Sequence, residues 1–145
     1  MKTTATLFLI VAFVSIGQAR PVRQWTYSDL EKEADFVAIV EVSDIQPTDV
    51  RLPKVPNPEW FQGLIATLKP LWVIKGDKNA KDIKFLFYRY SDNANAIPNG
   101  AIFATLEKGN RKQYLIFLKK GSSGYSPVSG DYDAGQSVHP VTQTL

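Results

Sequence analysis

The sequence contains no cysteine, and it contains only one histidine, His139. Without cysteine the chain can form no disulfide, no thiolate metal site and no iron–sulfur cluster, and no thiol can act as a nucleophile. With a single histidine, a Ser-His-Asp arrangement or a histidine-rich metal site would depend on one ring. We therefore expect the fold to rest on its apolar core. We interpret His139 as a partly exposed residue of a terminal strand.

The signatures of common catalytic and nucleotide-binding sites are also missing. The chain has no His-Glu-x-x-His zinc motif, no Gly-x-Ser-x-Gly nucleophile elbow and no glycine-rich phosphate loop. Beyond residue 19, no apolar run approaches the roughly 20 residues that a membrane-spanning helix needs. The sequence predicts a protein that is not an enzyme, carries no cofactor and does not span a membrane.

Basic and acidic residues number 17 and 14, and both signs are interspersed along the chain. Interspersed charge is typical of a solvated surface, whereas an arm that binds a polyanion concentrates its basic residues. We therefore expect no nucleic-acid partner.

The start of the chain has the composition of an export signal. A positive charge comes first, residues 5–16 are mostly apolar, and two small residues have the spacing that signal peptidase reads. We predict that residues 1–19 are a signal peptide, cut between Ala19 and Arg20. The remainder, residues 20–145, has the size of one domain. A cysteine-free exported domain favours a secreted or periplasmic bacterial protein.

Apolar periodicity predicts a mainly β fold. The period of two is clearest over residues 36–45 and 82–90, and the uninterrupted apolar run 114–118 predicts a central strand buried on both faces. Further strands are predicted over 64–75, 101–106, 125–130 and 137–141, with a bulge or edge at Pro70 and a proline-rich loop over 46–59.

A short helix precedes these strands. Ser28 and Glu31 have the spacing of a capping box, which predicts a helix over residues 29–34. One helix followed by five to seven short strands is typical of a small antiparallel barrel or sandwich.

Three stretches, in this order, resemble a group of secreted bacterial proteins. They are residues 33–42, residues 71–77, and the pair 113–120 and 125–130. Together they resemble the netrin-like and tissue-inhibitor-of-metalloproteinases (TIMP-like) branch of the OB fold, over roughly residues 28–141. This resemblance implies a small, closed or partly open, antiparallel OB-like barrel with one short N-terminal helix.

The resemblance implies no inhibitory residue. The animal inhibitors of that branch act through a mature N-terminal cysteine that chelates the protease metal. Cleavage after Ala19 would expose Arg20 and Pro21 instead, so the mechanism does not transfer to this chain.

The outer positions of the strand predicted over 82–90 mix aromatic and basic side chains, and two tryptophans lie nearby in the chain. OB barrels use such a face to stack sugars or bases. The alternative is that these aromatics cover the open side of a small barrel, beneath the helix and the proline-rich loop. The candidate ligand-binding residues are Trp60, Trp72, Lys84, Tyr88, Arg89 and Tyr90.

Two carboxylates, Asp131 and Asp133, lie in the glycine-flanked segment 130–135. Calcium takes about 6 to 8 oxygen ligands and this segment offers only about three, so they are weak metal candidates. We interpret the segment as a turn with solvated carboxylates.

The function that we expect is that of a secreted, non-catalytic binding module. Its partner would be a protein or a cell-surface component, engaged through loops and the aromatic face. One alternative is a carbohydrate or cell-wall binding domain using Trp60, Tyr88 and Tyr90. A second is a hydrolase using Asp131 or Asp133.

Overall fold

The computed structural model describes residues 20–94, 100–109, 111–122 and 124–141. The predicted signal peptide, residues 1–19, lies outside the described residues. The described chain contains one α-helix, two 3-10 helices and six strands. They are α1 (Tyr27–Glu33), β1 (Phe36–Thr48), a 3-10 helix (Pro58–Trp60), β2 (Phe61–Lys75), β3 (Ile83–Tyr90), β4 (Gln113–Gly121), β5 (Gly124–Pro127), a second 3-10 helix (Asp131–Ser137) and β6 (Val138–Val141).

Five of the strands close into a barrel, in the order β1-β2-β3-β5-β4 and back to β1. All of these pairings are antiparallel except the short contact between β3 and β5, where Phe85 lies opposite Tyr125 in parallel orientation. β6 pairs with the first half of β4. The predicted small OB-like barrel is confirmed, with one parallel pairing in place of a wholly antiparallel sheet.

Alternation along the strands fills the barrel. The even-numbered residues of β1 from Phe36 to Val42 point inward and are buried, as the period of two predicts. β4 is covered on both sides. Tyr114, Ile116 and Leu118 face the interior, whereas Phe117 packs with Leu30 of α1 in a second cluster. The predicted central strand is therefore confirmed, although one residue within it is only half-buried.

The cap of α1 lies two residues earlier than predicted. Thr26 is the N-cap, and its hydroxyl accepts the N–H of Asp29 at 3.1 Å. The Asp29 carboxylate in turn accepts the N–H of Thr26 at 3.3 Å. Asp29 thus performs the role predicted for Glu31, because the backbone turns helical at Tyr27 and places Ser28 inside the first turn.

β1 and β2 are longer than predicted, and their pairing is irregular. β1 continues through Pro47 to Thr48, so the proline-rich loop starts later than expected. In β2, Leu71 and Ile74 have no partner in the register with β1. Each is a bulge, and the bulge predicted at Pro70 is confirmed next to that residue.

Residues 101–108 do not form the predicted strand; we call them the crossing segment. Its burial alternates, with Ala104 and Leu106 buried, which explains the strand-like sequence pattern. Its backbone is instead held by isolated contacts. The N–H of Ile102 donates to the carbonyl of Tyr132 at 3.0 Å, and the N–H of Glu107 donates to the Tyr114 hydroxyl at 2.9 Å.

Among the described residues, no helix has both the length and the apolar character needed to cross a bilayer.

Candidate functional site

Most of the predicted aromatic face is covered. Tyr88 is only 1 % exposed and packs with Leu52 and Phe61. Its hydroxyl points toward the carbonyl of Arg51 at 3.4 Å, because residues 49–57 fold back over β3. Burial raises the pKa of the Tyr88 phenol. Tyr88 therefore acts as core in this structure and is not available to stack a ligand.

The other predicted site residues are spread over four places. Trp60 is half-buried against the cluster that contains Tyr88. Trp72 lies near the far end of β2 and is 69 % exposed. Lys84 donates a hydrogen bond to the Thr67 hydroxyl on β2. Arg89 and Tyr90, the last two residues of β3, are the two predicted site residues that line the same groove.

Arg89 and Tyr90 line a groove of about 660 Å³ at the open end of the barrel. The floor of this groove is the top of the apolar core. Leu64 of β2 and Phe87 of β3 contribute buried side chains, and Leu106 of the crossing segment closes the opposite wall. The groove is therefore a depression with an apolar floor, built on three strands and the crossing segment.

The rim of the groove is polar. Arg89 is exposed, and its Nε donates to the Gln62 side-chain oxygen at 2.8 Å. The Tyr90 hydroxyl accepts the N–H of Ala101 at 2.8 Å. The Tyr90 ring packs edge-on against Phe103, 5.1 Å between centroids, which fixes its orientation. The rim thus holds a positioned guanidinium and a positioned phenol beside an apolar floor.

The sequence pattern contains a signal for this groove. In β3 the inward positions are Ile83, Phe85 and Phe87, and the next position of the same phase is Arg89. A charged residue on the inward phase at a strand end indicates that the barrel opens there. The wall formed by the crossing segment has no such signal, because it depends on how the chain crosses the barrel mouth.

Asp133 forms an ion pair with Arg20. Its two carboxylate oxygens accept from the Arg20 guanidinium at 2.7 and 2.9 Å. Arg20 also donates to the Gly100 carbonyl at 3.2 Å and lies 4.6 Å from the centre of the Tyr132 ring. Asp131 and Asp133 lie in the Asp131–Ser137 3-10 segment, which is kinked at Asp133. The predicted turn with solvated carboxylates is wrong, because both aspartates are partly buried and Asp133 is paired with Arg20.

Asp131 is half-buried, and burial raises the pKa of its carboxyl. Within the described ranges, no group of three or more histidine, aspartate or glutamate residues is arranged to hold a metal ion.

His139 lies on β6 and is partly exposed, as predicted. Its Nε2 is 2.8 Å from the Gln136 carbonyl oxygen, and its ring packs 4.9 Å from the ring of Tyr27. These contacts explain His139 as a packing residue.

No protein-family model matches the chain, and no curated protein matches it with significant similarity. The groove is therefore the feature of this chain that points to a function.

Proposed function

We propose that this protein is a secreted, non-catalytic binding module whose ligand occupies the groove at the open end of the barrel. The observation that carries the proposal is the combination of an apolar floor and a fixed polar rim in one depression. Ligand sites have this composition, with a few positioned polar groups that orient a largely apolar contact. Export by the predicted signal peptide and membership of the netrin-like branch belong to the same proposal.

The groups that line the groove favour binding over catalysis. Among its described lining residues, only Arg89 and Tyr90 have titratable side chains. General acid–base catalysis needs a group that exchanges protons near the working pH, and an arginine guanidinium stays protonated throughout. Asp131, whose pKa is raised, is not among the residues that line the groove.

Selection from a displayed peptide library tests the groove as the binding site. Thr105→Trp places an indole at the exposed Thr105 position of the crossing segment, on the rim that the groove shares with a neighbouring depression, and should obstruct the groove. Peptides enriched on the wild-type protein should bind this variant at least tenfold more weakly. They should bind Trp72→Ala, altered on a different face, as well as the wild type. Thermal unfolding checks that both variants are folded.

Two results would contradict this assignment. The first is a library that yields no binder sensitive to Thr105→Trp. The second is a set of binders that ignore Thr105→Trp but are lost in Trp72→Ala, which would move the site to the opposite end of β2.

A second candidate function is carbohydrate binding, and the observation that favours it is the exposed indole of Trp72. Planar aromatic side chains offer a large, apolar face at little entropic cost, which suits the flat faces of sugar rings. Burial of Tyr88 removes one of the three rings, Trp60, Tyr88 and Tyr90, that the sequence assigned to this role. Glycan-array signals that vanish in Trp72→Ala and persist in Thr105→Trp would support this function over groove binding.

A further inference from the structure

The rim of the groove presents hydrogen-bond donors. Arg89 donates from its Nε to the Gln62 oxygen, and among the described residues its two terminal NH2 groups form no hydrogen bond. The Gln62 side-chain oxygen accepts from Arg89, which leaves its amide N–H groups as potential donors to a ligand. The Tyr90 hydroxyl accepts from Ala101 and keeps its own hydrogen for donation. Arg89, Gln62 and Tyr90 can therefore each donate a hydrogen bond to a ligand that carries acceptor atoms.

In the part of the chain that the structure describes, Arg89 has no acidic side-chain partner. All 14 acidic side chains fall within the described residues, and none of them forms an ion pair with Arg89. A planar guanidinium with free terminal NH2 groups binds a carboxylate in a bidentate manner, and the bond is stronger than one between neutral groups. The acceptor that best complements this rim is a carboxylate.

The wall of the groove along β1 is a strand edge. β1 pairs with β4 only as far as Glu41. From Val42 to Thr48, its described pairing is with β2 alone. Ile45 and Pro47 of this part line the groove, and a proline inside a strand is typical of an edge. The edge therefore offers backbone groups to an added strand, with the Pro47 position supplying a carbonyl and no N–H.

We infer that the occupant of the groove is an extended, carboxylate-bearing segment of a partner protein that adds beside β1; this inference rests on the proposed function. Backbone groups of β1 pair with the segment, one of its apolar side chains enters the floor at Phe87, and its carboxylate binds Arg89. Phe87 and Arg89 are two residues apart on one strand face. The segment therefore carries its apolar and acidic residues at alternate positions, about 7 Å apart.

Binding of synthetic peptides tests this inference. The probe is a blocked peptide of about six residues with an apolar residue and a glutamate at alternate positions, taken from the consensus of the groove-dependent binders. We expect that replacing its glutamate with glutamine weakens binding at least tenfold on the wild-type protein. The same replacement should make little difference on Arg89→Ala. Arg51→Ala, at an exposed arginine outside the groove, is the matched control and should behave as the wild type.

Charge reversal provides a second, independent measurement. A library selected on Arg89→Glu should enrich lysine or arginine at the position where the wild type enriches glutamate or aspartate. Methylation of single backbone nitrogens in the peptide should weaken binding at alternate positions only, as expected for one edge of an added strand.

The outcomes separate this inference from the proposed function. If binding is lost in Thr105→Trp but shows no preference for acidic peptides and no response to Arg89→Ala, the groove is the binding site. The inference that its ligand carries a carboxylate is then wrong. If decanoate binds the groove more tightly than the acidic peptide and backbone methylation has no effect, the occupant is a small amphiphilic carboxylate. If no binder depends on the groove at all, the proposed function falls with the inference.

Discussion

At the residue scale, the Asp131–Ser137 3-10 helix holds two carboxylates with opposite environments. Asp133 is neutralised by Arg20 through two hydrogen bonds. Asp131 is half-buried, and the first cause of its shift is desolvation, which favours the protonated form. Two acids that look equivalent in sequence therefore differ in the structure, since Asp133 has an ion-pair partner and the pKa of Asp131 is raised by burial. Each leads to a separate prediction.

Asp131→Asn should stabilise the protein at neutral pH. The pKa of Asp131 is raised in the folded state, so its contribution to stability is present below the unfolded pKa of about 3.9 and is lost as pH rises through the folded pKa. Asparagine cannot ionise, so the variant does not lose this stability as the pH rises to 7. Denaturant unfolding at pH 7 should show a higher free energy of unfolding for the variant, and the difference should shrink toward zero near pH 3.

Asp49→Asn, at an exposed carboxylate, is the control and should show no such gain. An Asp131→Asn variant that is less stable at pH 7 than at pH 3, relative to the wild type, would mean that the charge of Asp131 is compensated in solution.

Calcium should not stabilise the protein, because a cation at Asp133 would have to displace the Arg20 guanidinium. Asp131 and Asp133 together still fall well short of the roughly 6 to 8 oxygen ligands that calcium takes. Thermal unfolding in millimolar calcium and in chelator should superimpose. Binding at 100 times the dissociation constant would add about 2.7 kcal/mol, so a rise of that size that vanishes in Asp133→Asn would make this helix a metal site.

At the element scale, β4 organises the molecule because it contacts three other strands and α1. β1 lies along one of its edges, and β5 and β6 share the other. Its outward-facing Phe117 is 3 % exposed and packs under Leu30 of α1. The helix itself has only seven residues, so this packing and the Thr26 cap, rather than helix propensity, hold it in place.

Phe117→Ala should lower the free energy of unfolding by about 3 to 5 kcal/mol, from lost burial and the cavity that remains. Leu115→Ala, at a half-buried position of the same strand, is the matched control and should cost less. Equilibrium urea unfolding measures both changes. A loss below about 1 kcal/mol for Phe117→Ala would indicate that α1 does not pack on β4 in solution.

The alternation of apolar and polar residues predicted most of the strands, because a strand with one buried face has an apolar residue at every second position. This alternation correctly located β1, β3 and β4. It failed for residues 101–106, where alternating burial occurs without a neighbouring strand edge in register. Arg89 at the end of β3 was a local signal of the groove, but the shape of the groove could not be predicted in this way. The groove exists only where β1 continues beyond its pairing with β4, which is a relation between distant parts of the chain.

At the scale of the whole molecule, the two ends of the described chain are fastened to each other. Arg20 binds Asp133, 113 residues away, and the Gln136 side chain donates to the Arg23 carbonyl at 3.0 Å. The Gln136 oxygen also accepts the N–H of Trp25 at 3.2 Å. The first residues after the predicted cleavage point therefore brace the 3-10 helix that precedes β6.

This bracing predicts that the position of the chain's start matters for stability. A protein that starts at Trp25 loses the Arg20 ion pair and the bond from Gln136 to Arg23. Bonds to charged groups contribute about 1.5 to 3 kcal/mol and neutral ones about 1, so we expect the shorter protein to be less stable than residues 20–145 by about 2 to 4 kcal/mol. Asp133→Asn combined with Gln136→Ala in residues 20–145 should reproduce most of that loss without shortening the chain. If the shorter protein instead unfolds at the same urea concentration as residues 20–145, the fastening contributes nothing. A chain that begins at Arg20, as the predicted cleavage would leave it, keeps every one of these contacts, whereas a chain that begins one residue later lacks the ion pair. Mass spectrometry of the purified protein distinguishes the two.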